Sequence, residues 1–251
     1  KITVYNPFSL ENKTILVTGA SSGIGRAIAI ESSKMGASVI ITGRNEERLK
    51  ETHARMEGNK PDYIVADLSN SDDVQNLSEN ITSLNGLVNC AGLTKVLPFP
   101  FAERKDFEEV MEVNFFAPTE LSRLLVKSKK LQKGASIVFI SSVSGVYCSA
   151  VAGSIYSSSK GAINGLAKAM ALDLAPKGIR VNCVNPGMID THIFSEGKIT
   201  QEQLKEDMKR YPLKRYGKPE EVAYAVIYLL SDAAEWITGS NLLIDGGYTL
   251  L

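Results

Sequence analysis

Seven short stretches of nearly unbroken apolar character, rich in β-branched residues, punctuate the chain at 14–18, 38–42, 63–66, 86–89, 136–140, 179–184 and 241–244. A strand with one wet face alternates apolar and polar positions, whereas continuous runs of this length predict strands covered on both faces, as in a parallel sheet. Between them lie stretches of helical periodicity at 24–35, 46–56, 72–83, 105–131, 155–174 and 220–230. Asn70 or Ser71 and Thr200 suit helix N-caps, and Pro219 suits a first helical turn. Strand and helix alternate from one end to the other, which predicts a doubly wound α/β sheet of about seven parallel strands. No repeat, low-complexity tract or linker interrupts this order, so residues 1–251 read as a single domain with 1–13 as an N-terminal arm. The irregular piece is 187–218. It follows a strand's carboxyl end, where ligands sit in open α/β sheets, and is expected to be a substrate lid or a packed helical excursion.

Charge and composition narrow the partners. Lys+Arg and Asp+Glu both total 28, so the net charge is zero and the basic excess of a nucleic-acid or membrane binder is missing. No apolar run approaches the roughly 20 residues needed to span a bilayer. The first 13 residues have no apolar signal core. Cys90, Cys148 and Cys183 are scattered and odd in number, which predicts reduced thiols in a cytoplasm rather than a disulfide framework. With only two histidines, His53 and His192, and no close cysteine pair, no metal site is expected. No G-x-S-x-G turn is present to support a serine hydrolase.

The first predicted strand runs into Thr18-Gly19-Ala20-Ser21-Ser22-Gly23-Ile24-Gly25 and then directly into a helix. Glycines allow a tight turn and let backbone N–H groups approach a pyrophosphate, which the helix N-terminus then favours electrostatically. This is the opening of a Rossmann-type dinucleotide site. The second strand ends Thr42-Gly43-Arg44. An acidic residue there would bond a ribose 2′-hydroxyl and repel a 2′-phosphate; Gly43 with Arg44 beside it favours NADP(H) over NAD(H), because a guanidinium fork matches phosphate geometry.

Tyr156 and Lys160 stand four apart inside an apolar-periodic helix, hence on one face. A free phenol titrates near ~10, and a neighbouring ammonium favours its ionised form, so the pair can exchange a proton with a carbonyl or an alcohol. Ser142, with Ser141 as a rival, ends the fifth strand, where a hydroxyl could hold the substrate oxygen. Pro118 lies four residues after Asn114 in the helix expected over 105–131. Proline has no N–H, so the Asn114 carbonyl loses its helical partner and needs another donor, most simply a water. Cys148 reads as an incidental small residue and His192 as a solvated lid residue.

From Lys13 onward the chain resembles the short-chain dehydrogenase/reductase family. The resemblance rests on the glycine turn, Asp67-Leu68-Ser69, Asn89-Cys90-Ala91-Gly92, Asn114, Ser142, Tyr156-x3-Lys160, Pro186-Gly187-x-Ile189-x-Thr191 and the closing Ile237-Thr238-Gly239 with Asp245-Gly246-Gly247. It implies reversible hydride transfer between nicotinamide and a carbonyl or alcohol carbon. Ser142 would orient the oxygen and Tyr156 exchange its proton. Lys160 would lower the tyrosine pKa and hold the nicotinamide ribose, and Asn114 would hold a water of a proton relay. Gly19, Ser21, Ser22, Gly23, Ile24, Gly25, Arg44, Asn89, Ala91, Gly92, Pro186, Gly187 and Ile189 would line the cofactor. Asp67 would bond the adenine with Leu68 near it, and Thr191 would bond the carboxamide.

Three departures stand out. Cys90 replaces the second asparagine of N-N-A-G, Ser22 fills a position that is basic in many NADP-using relatives, and the loop from Ser142 to Tyr156 is about one residue longer than usual. The family implies a homotetramer built on the helices over 105–131 and 155–174. Within it the chain is closest in look to bacterial 3-oxoacyl-(acyl carrier protein) reductases, whose carrier-docking basic positions align with Lys133 and Lys177. A dehydrogenase of a free sugar, polyol or steroid-like alcohol has the same features. A cofactor-sensing binding protein should have lost part of the catalytic set, which is complete here.

Overall fold

The computed structural model describes residues 5–59, 61–191 and 200–251. The seven apolar runs form one parallel sheet: β1 (Thr14–Thr18), β2 (Ser38–Gly43), β3 (Ile64–Val65), β4 (Leu84–Asn89), β5 (Leu131–Ile140), β6 (Arg180–Pro186) and β7 (Asn241–Ile244), in the order β3-β2-β1-β4-β5-β6-β7. Successive side chains of a strand point to opposite faces, and each face has its own core. Ile15 and Val17 of β1 pack with one cluster, made with α1 (Gly23–Lys34) and α8 (Pro219–Leu230). Leu16 packs with the other, made with α3 (Ser71–Asn80), α5 (Ala117–Lys127) and α6 (Ser154–Leu174). This is why the runs are apolar without alternation. Chain order reverses between β1 and β4, which opens a crevice at their carboxyl ends.

The expected caps form. Asn70 accepts the Asp72 N–H at the start of α3. Thr200 and Gln203 cap each other reciprocally at the start of α7 (Gln201–Met208), and Pro219 opens α8. The helix expected over 105–131 runs unbroken from Arg104 to Lys127 but changes pitch part-way. After α4 (Arg104–Met111) comes a π-helical turn, Glu112–Phe116, in which the Ala117 N–H reaches back to the Glu112 carbonyl. Pro118, lacking an N–H, then stands in the first turn of α5. The helix stops at Lys127, the chain turns left-handed at Lys129 (φ 57°), and Leu131 already pairs with Leu84 as the first residue of β5. The Lys130 ammonium meanwhile caps α3, on the Ser78 and Glu79 carbonyls.

The arm is packed where it is described. Leu10 is fully buried, and its N–H bonds the Met35 carbonyl. In the expected lid, 192–199 lie outside the described residues. Its remainder carries α7 and a separate small core of Leu204, Tyr211 and Tyr216. There Tyr211 stacks on Tyr248 with ring centroids 4.9 Å apart, and Arg210 lies over the Tyr248 ring. Backbone bonds from Gly217 to Met188 and from Leu213 to Gly246 pin this unit to the carboxyl ends of β6 and β7.

Candidate active site

The glycine turn lies hard against the end of β4. Gly19 has φ +67°, and a Cβ there would come 2.8 Å from the Cα and N of Ala91. A Cβ at Gly25 would come 2.3 Å from the Gly19 carbonyl oxygen. Only glycines let these three segments close. Thr18 Oγ1 accepts the N–H groups of Cys90 (3.0 Å) and Ala91 (3.2 Å), tying β1 to β4 across the crevice. Arg26 braces the turn from behind, donating to the Ser21 carbonyl (2.7 Å) and to Thr52 Oγ1 (3.0 Å). Ser22, the N-cap of α1, is extended and gives no side-chain cap, so the first-turn amides of α1 are free to face an anion. Ile24 packs its side chain into the core behind them. The Cγ2 of Thr191 lies 3.4 Å from where a Gly23 Cβ would sit, so the strand-end loops after β1 and β6 meet here.

On the β2 side, a Cβ at Gly43 would be 3.5 Å from the Cβ and Oγ of Ser21. Any side chain there would therefore enter the gap beside the glycine turn. Arg44 is exposed next to it. Asp67 Oδ1 accepts the N–H (3.0 Å) and hydroxyl (2.8 Å) of Ser69. The bond from the Ser69 backbone, with the Arg44 charge adding to it, holds this carboxyl below the usual aspartate range. Leu68 is buried in the core with Val74 and Leu77. Asn89 turns away from the crevice: its Nδ2 donates to Ser122 Oγ of α5, and its Oδ1 is buried without a partner among the described residues. Cys90 touches the crevice wall through its backbone. Burial pushes its thiol up to about 12, with the Lys160 ammonium acting in the opposite sense.

Beyond β4 the candidate catalytic side chains converge. Lys160 is 5% exposed, and its Nζ donates to the Ile140 carbonyl at the end of β5 (2.8 Å) and lies 5.7 Å from the Tyr156 ring centroid. Tyr156 is half-buried one helical turn earlier in α6, and no hydrogen bond engages its hydroxyl among the described residues. Ser142, 8% exposed, follows β5, and its Oγ accepts the Ser144 N–H (3.1 Å). Asn114 sits in the π-helical turn. Its amide accepts the Leu93 N–H (2.7 Å) and donates to the Leu93 carbonyl and to Ser159 Oγ (both 2.9 Å). Gly92 joins these groups: a Cβ there would be 3.2 Å from Asn114 Oδ1 and 3.5 Å from Lys160 Nζ. A buried ammonium, a free phenol and a strand-end hydroxyl beside an anion-binding turn can exchange a proton with an oxygen while a dinucleotide occupies the crevice.

The remaining sequence candidates lie at the periphery. Pro186 ends β6, and Gly187 backs onto Asp245, whose Cα lies 3.0 Å from the position of a Gly187 Cβ. Ile189 is buried and bridges to Gly217. His192 lies outside the described residues. Lys133 and Lys177 come together, since the chain at Gly178 lies against Lys133, but at the amino end of β5. The irregular start of β5 folds back against Leu84–Gly86, and the extended run from Ser136 to Ser142, about 20 Å at roughly 3.3 Å per residue, separates that edge from Ser142. Sequence reasoning missed Ser141, Asn164 and Asn185 as a group. They form a buried hydrogen-bonded cluster behind Ser142 and Lys160, and the available signal was a polar residue on the buried face of α6, four after Lys160.

Residues 19–249 match the family model described as enoyl-(acyl carrier protein) reductase. The chain is 36% identical to the 3-oxoacyl-[acyl-carrier-protein] reductase of Rickettsia prowazekii, over 96% of this chain and 99% of that protein. It is 36% identical to a tropinone reductase homologue of Arabidopsis thaliana, over 97% and 93% of the two chains. Among solved structures it is similar, at TM-score 0.87 and 33% identity, to one from Beutenbergia cavernae with NADP bound at low occupancy, described as a candidate NAD(P)-dependent gluconate 5-dehydrogenase. That match covers 98% of this chain and 100% of the other.

Proposed function

The chain belongs to the short-chain dehydrogenase/reductase family of NAD(P)-dependent oxidoreductases, and from that premise we propose that it is an NADP(H)-dependent reductase of 3-oxoacyl groups carried as thioesters on acyl carrier protein. The observation that carries the reading is the convergence of Tyr156, Lys160 and Ser142 at the carboxyl end of β5, beside a glycine turn shaped for a dinucleotide. When bound, the nicotinamide supplies the hydride that reaches the carbonyl carbon. Ser142 Oγ and the Tyr156 hydroxyl hold the carbonyl oxygen, and Tyr156 gives it a proton as negative charge develops. The Lys160 ammonium stabilises the phenolate left behind. Asn114 holds the Leu93 backbone and Ser159 in place beside Lys160, where a water could resupply the proton. The residues fit the cofactor: backbone amides of the turn and of α1 would hold the pyrophosphate, Lys160 the ribose and Thr191 the carboxamide. Gly43 leaves room at the adenosine ribose, and Arg44 supplies the charge for a 2′-phosphate.

Relatives bearing the reductase name at 36% identity support the acyl substrate. A second reading, a dehydrogenase of a free hydroxy acid or ketone, is favoured by the placement of Lys133 and Lys177 at the far edge of the sheet and by the Beutenbergia likeness. We place the enzyme in the cytoplasm as a single-domain homotetramer; among the described residues no helix is long and apolar enough to cross a membrane. The test is NADPH oxidation, followed by absorbance, with acetoacetyl-carrier protein, ethyl acetoacetate and a panel of free keto acids. Preference for the carrier substrate supports the proposal; exclusive turnover of the free acids replaces it with the second reading. The dissociation constants of NADPH and NADH decide cofactor choice. NADPH should bind tighter, and Gly43→Asp with Arg44→Ser should reverse the order.

A further inference from the structure

Behind the catalytic groups lies a hydrogen-bonded cluster that joins three elements. Asn164 of α6 donates from Nδ2 to the Lys160 carbonyl (2.7 Å) and to Ser141 Oγ (2.5 Å). Ser141 Oγ donates a hydrogen bond to the same Lys160 carbonyl (3.2 Å). Asn185 of β6 donates from Nδ2 to Asn164 Oδ1 (3.1 Å) and to the Ser142 carbonyl (2.8 Å). The backbone carbonyls of Lys160 and Ser142 can only accept, so each asparagine must turn its NH2 group toward them, which fixes both amide orientations. Every side-chain N–H and O–H of Ser141, Asn164 and Asn185 is then used. All three residues are at most 4% exposed.

The consequence is that Lys160 is fastened to β5 at both ends. Its ammonium bonds the Ile140 carbonyl, and its own carbonyl is bound by Ser141 and, through Asn164, by β6. Ser142 is held likewise, by its carbonyl from Asn185 and by its hydroxyl from the Ser144 N–H. We propose that Asn164 and Asn185 are positioning residues for the oxidoreduction, setting the Ser142 hydroxyl and the Lys160 ammonium in register with Tyr156. The proposal rests on the assignment of those three as the catalytic set.

Filling space is a poor explanation of the cluster. Asn185 Oδ1 is buried without a partner among the described residues, and an apolar pair of similar shape would carry no such desolvation cost. Register is a better one. A reacting group displaced by about 1 Å loses roughly a hundredfold in rate, and these bonds act on the backbone from which the two groups project.

The same strand offers an internal control. Asn182 of β6 is equally buried, but its amide bonds the Ile237 carbonyl (2.9 Å) and the Ser240 N–H (3.0 Å), on the β7 side and away from Lys160. Asn164→Leu, Asn185→Ala and Asn182→Ala are compared with wild type for reduction of ethyl acetoacetate by NADPH and for thermal midpoint. Asn164→Leu and Asn185→Ala should lower kcat at least tenfold while the ester KM and the NADPH dissociation constant stay within threefold. Asn182→Ala should lower the thermal midpoint and keep kcat within threefold. If the first two keep kcat within threefold, or if Asn182→Ala lowers kcat as much as they do, the positioning role is overturned. Should Asn164→Leu not fold, Asn164→Ser answers by the same thresholds. Tyr156→Phe, run alongside, separates the two layers: retained turnover there removes the catalytic assignment itself, whereas its loss with wild-type kcat in the asparagine variants removes only this proposal.

Discussion

The two sides of the crevice hold their business ends by opposite means. On the β1–β2 side the working surface is main chain: the glycine turn, the uncapped amides of α1 and the strand-end backbone at Cys90 and Ala91. On the β5–β6 side it is side chains, each set by buried hydrogen bonds from neighbouring elements. A main-chain surface depends on closeness, so it tolerates few added atoms but many changes of side chain. A side-chain surface depends on particular atoms, so it tolerates changes of neither the group nor its supports.

The sharpest way to break this contrast is at the reacting oxygen. Tyr156→Phe removes one hydroxyl and keeps the ring. Turnover should fall at least about a thousandfold, roughly 4 kcal/mol of barrier, with the NADPH dissociation constant nearly unchanged. Activity within about tenfold of wild type would show that another group moves the proton. On the other side, Gly19→Ala adds one carbon where the backbone is left-handed and Ala91 stands 2.8 Å away. NADPH binding measured by fluorescence titration should weaken about thirtyfold, roughly 2 kcal/mol, while kcat at saturating NADPH changes much less. A fall in kcat with affinity intact would reverse the roles of the two sides. The smallest effect should come from Cys90→Asn. Because this position meets Thr18 through its N–H and its thiol is pushed up to about 12 by burial, the thiol stays neutral through the working range. Cofactor affinity should therefore move by less than about threefold, under roughly 0.7 kcal/mol, with the same value from pH 6 to 9. A larger or pH-dependent change would give the Cys90 side chain a part in binding.

The same contrast explains what could be read from the residues alone. Strands covered on both faces announce themselves by composition, and the turn announces itself by glycines, since few other residues survive such closeness. The proposed catalytic pair was legible because Tyr156 and Lys160 are chemically unusual at helical spacing, and the structure places them on one face of α6. The supports were not: Asn164 and Asn185 acquire meaning only once β6 is known to lie beside β5, a pairing distant in sequence. Pro118 foreshadowed an irregularity in the helix over 105–131, but not its π-helical form, which depends on which carbonyl the Ala117 N–H finds. The early start of β5 at Leu131 depends likewise on its partner Leu84. Lys133 and Lys177 come together because β6 lies beside β5, and only the direction of β5 shows which edge they occupy.

The small tyrosine core around α7 has a consequence for local stability. Its rings pack on one another, with Tyr211 against both Tyr216 and Tyr248, and its members belong to neither of the two large cores. Stability is not uniform across a fold, and a small cluster outside the main cores can have a local stability of its own. This unit is held to the ends of β6 and β7 by backbone bonds and to α8 by the Arg215–Glu221 ion pair, so its stability is set by contacts outside both large cores. Amide hydrogens of α7 should therefore exchange before those of β5, and hydrogen exchange followed by mass spectrometry checks this.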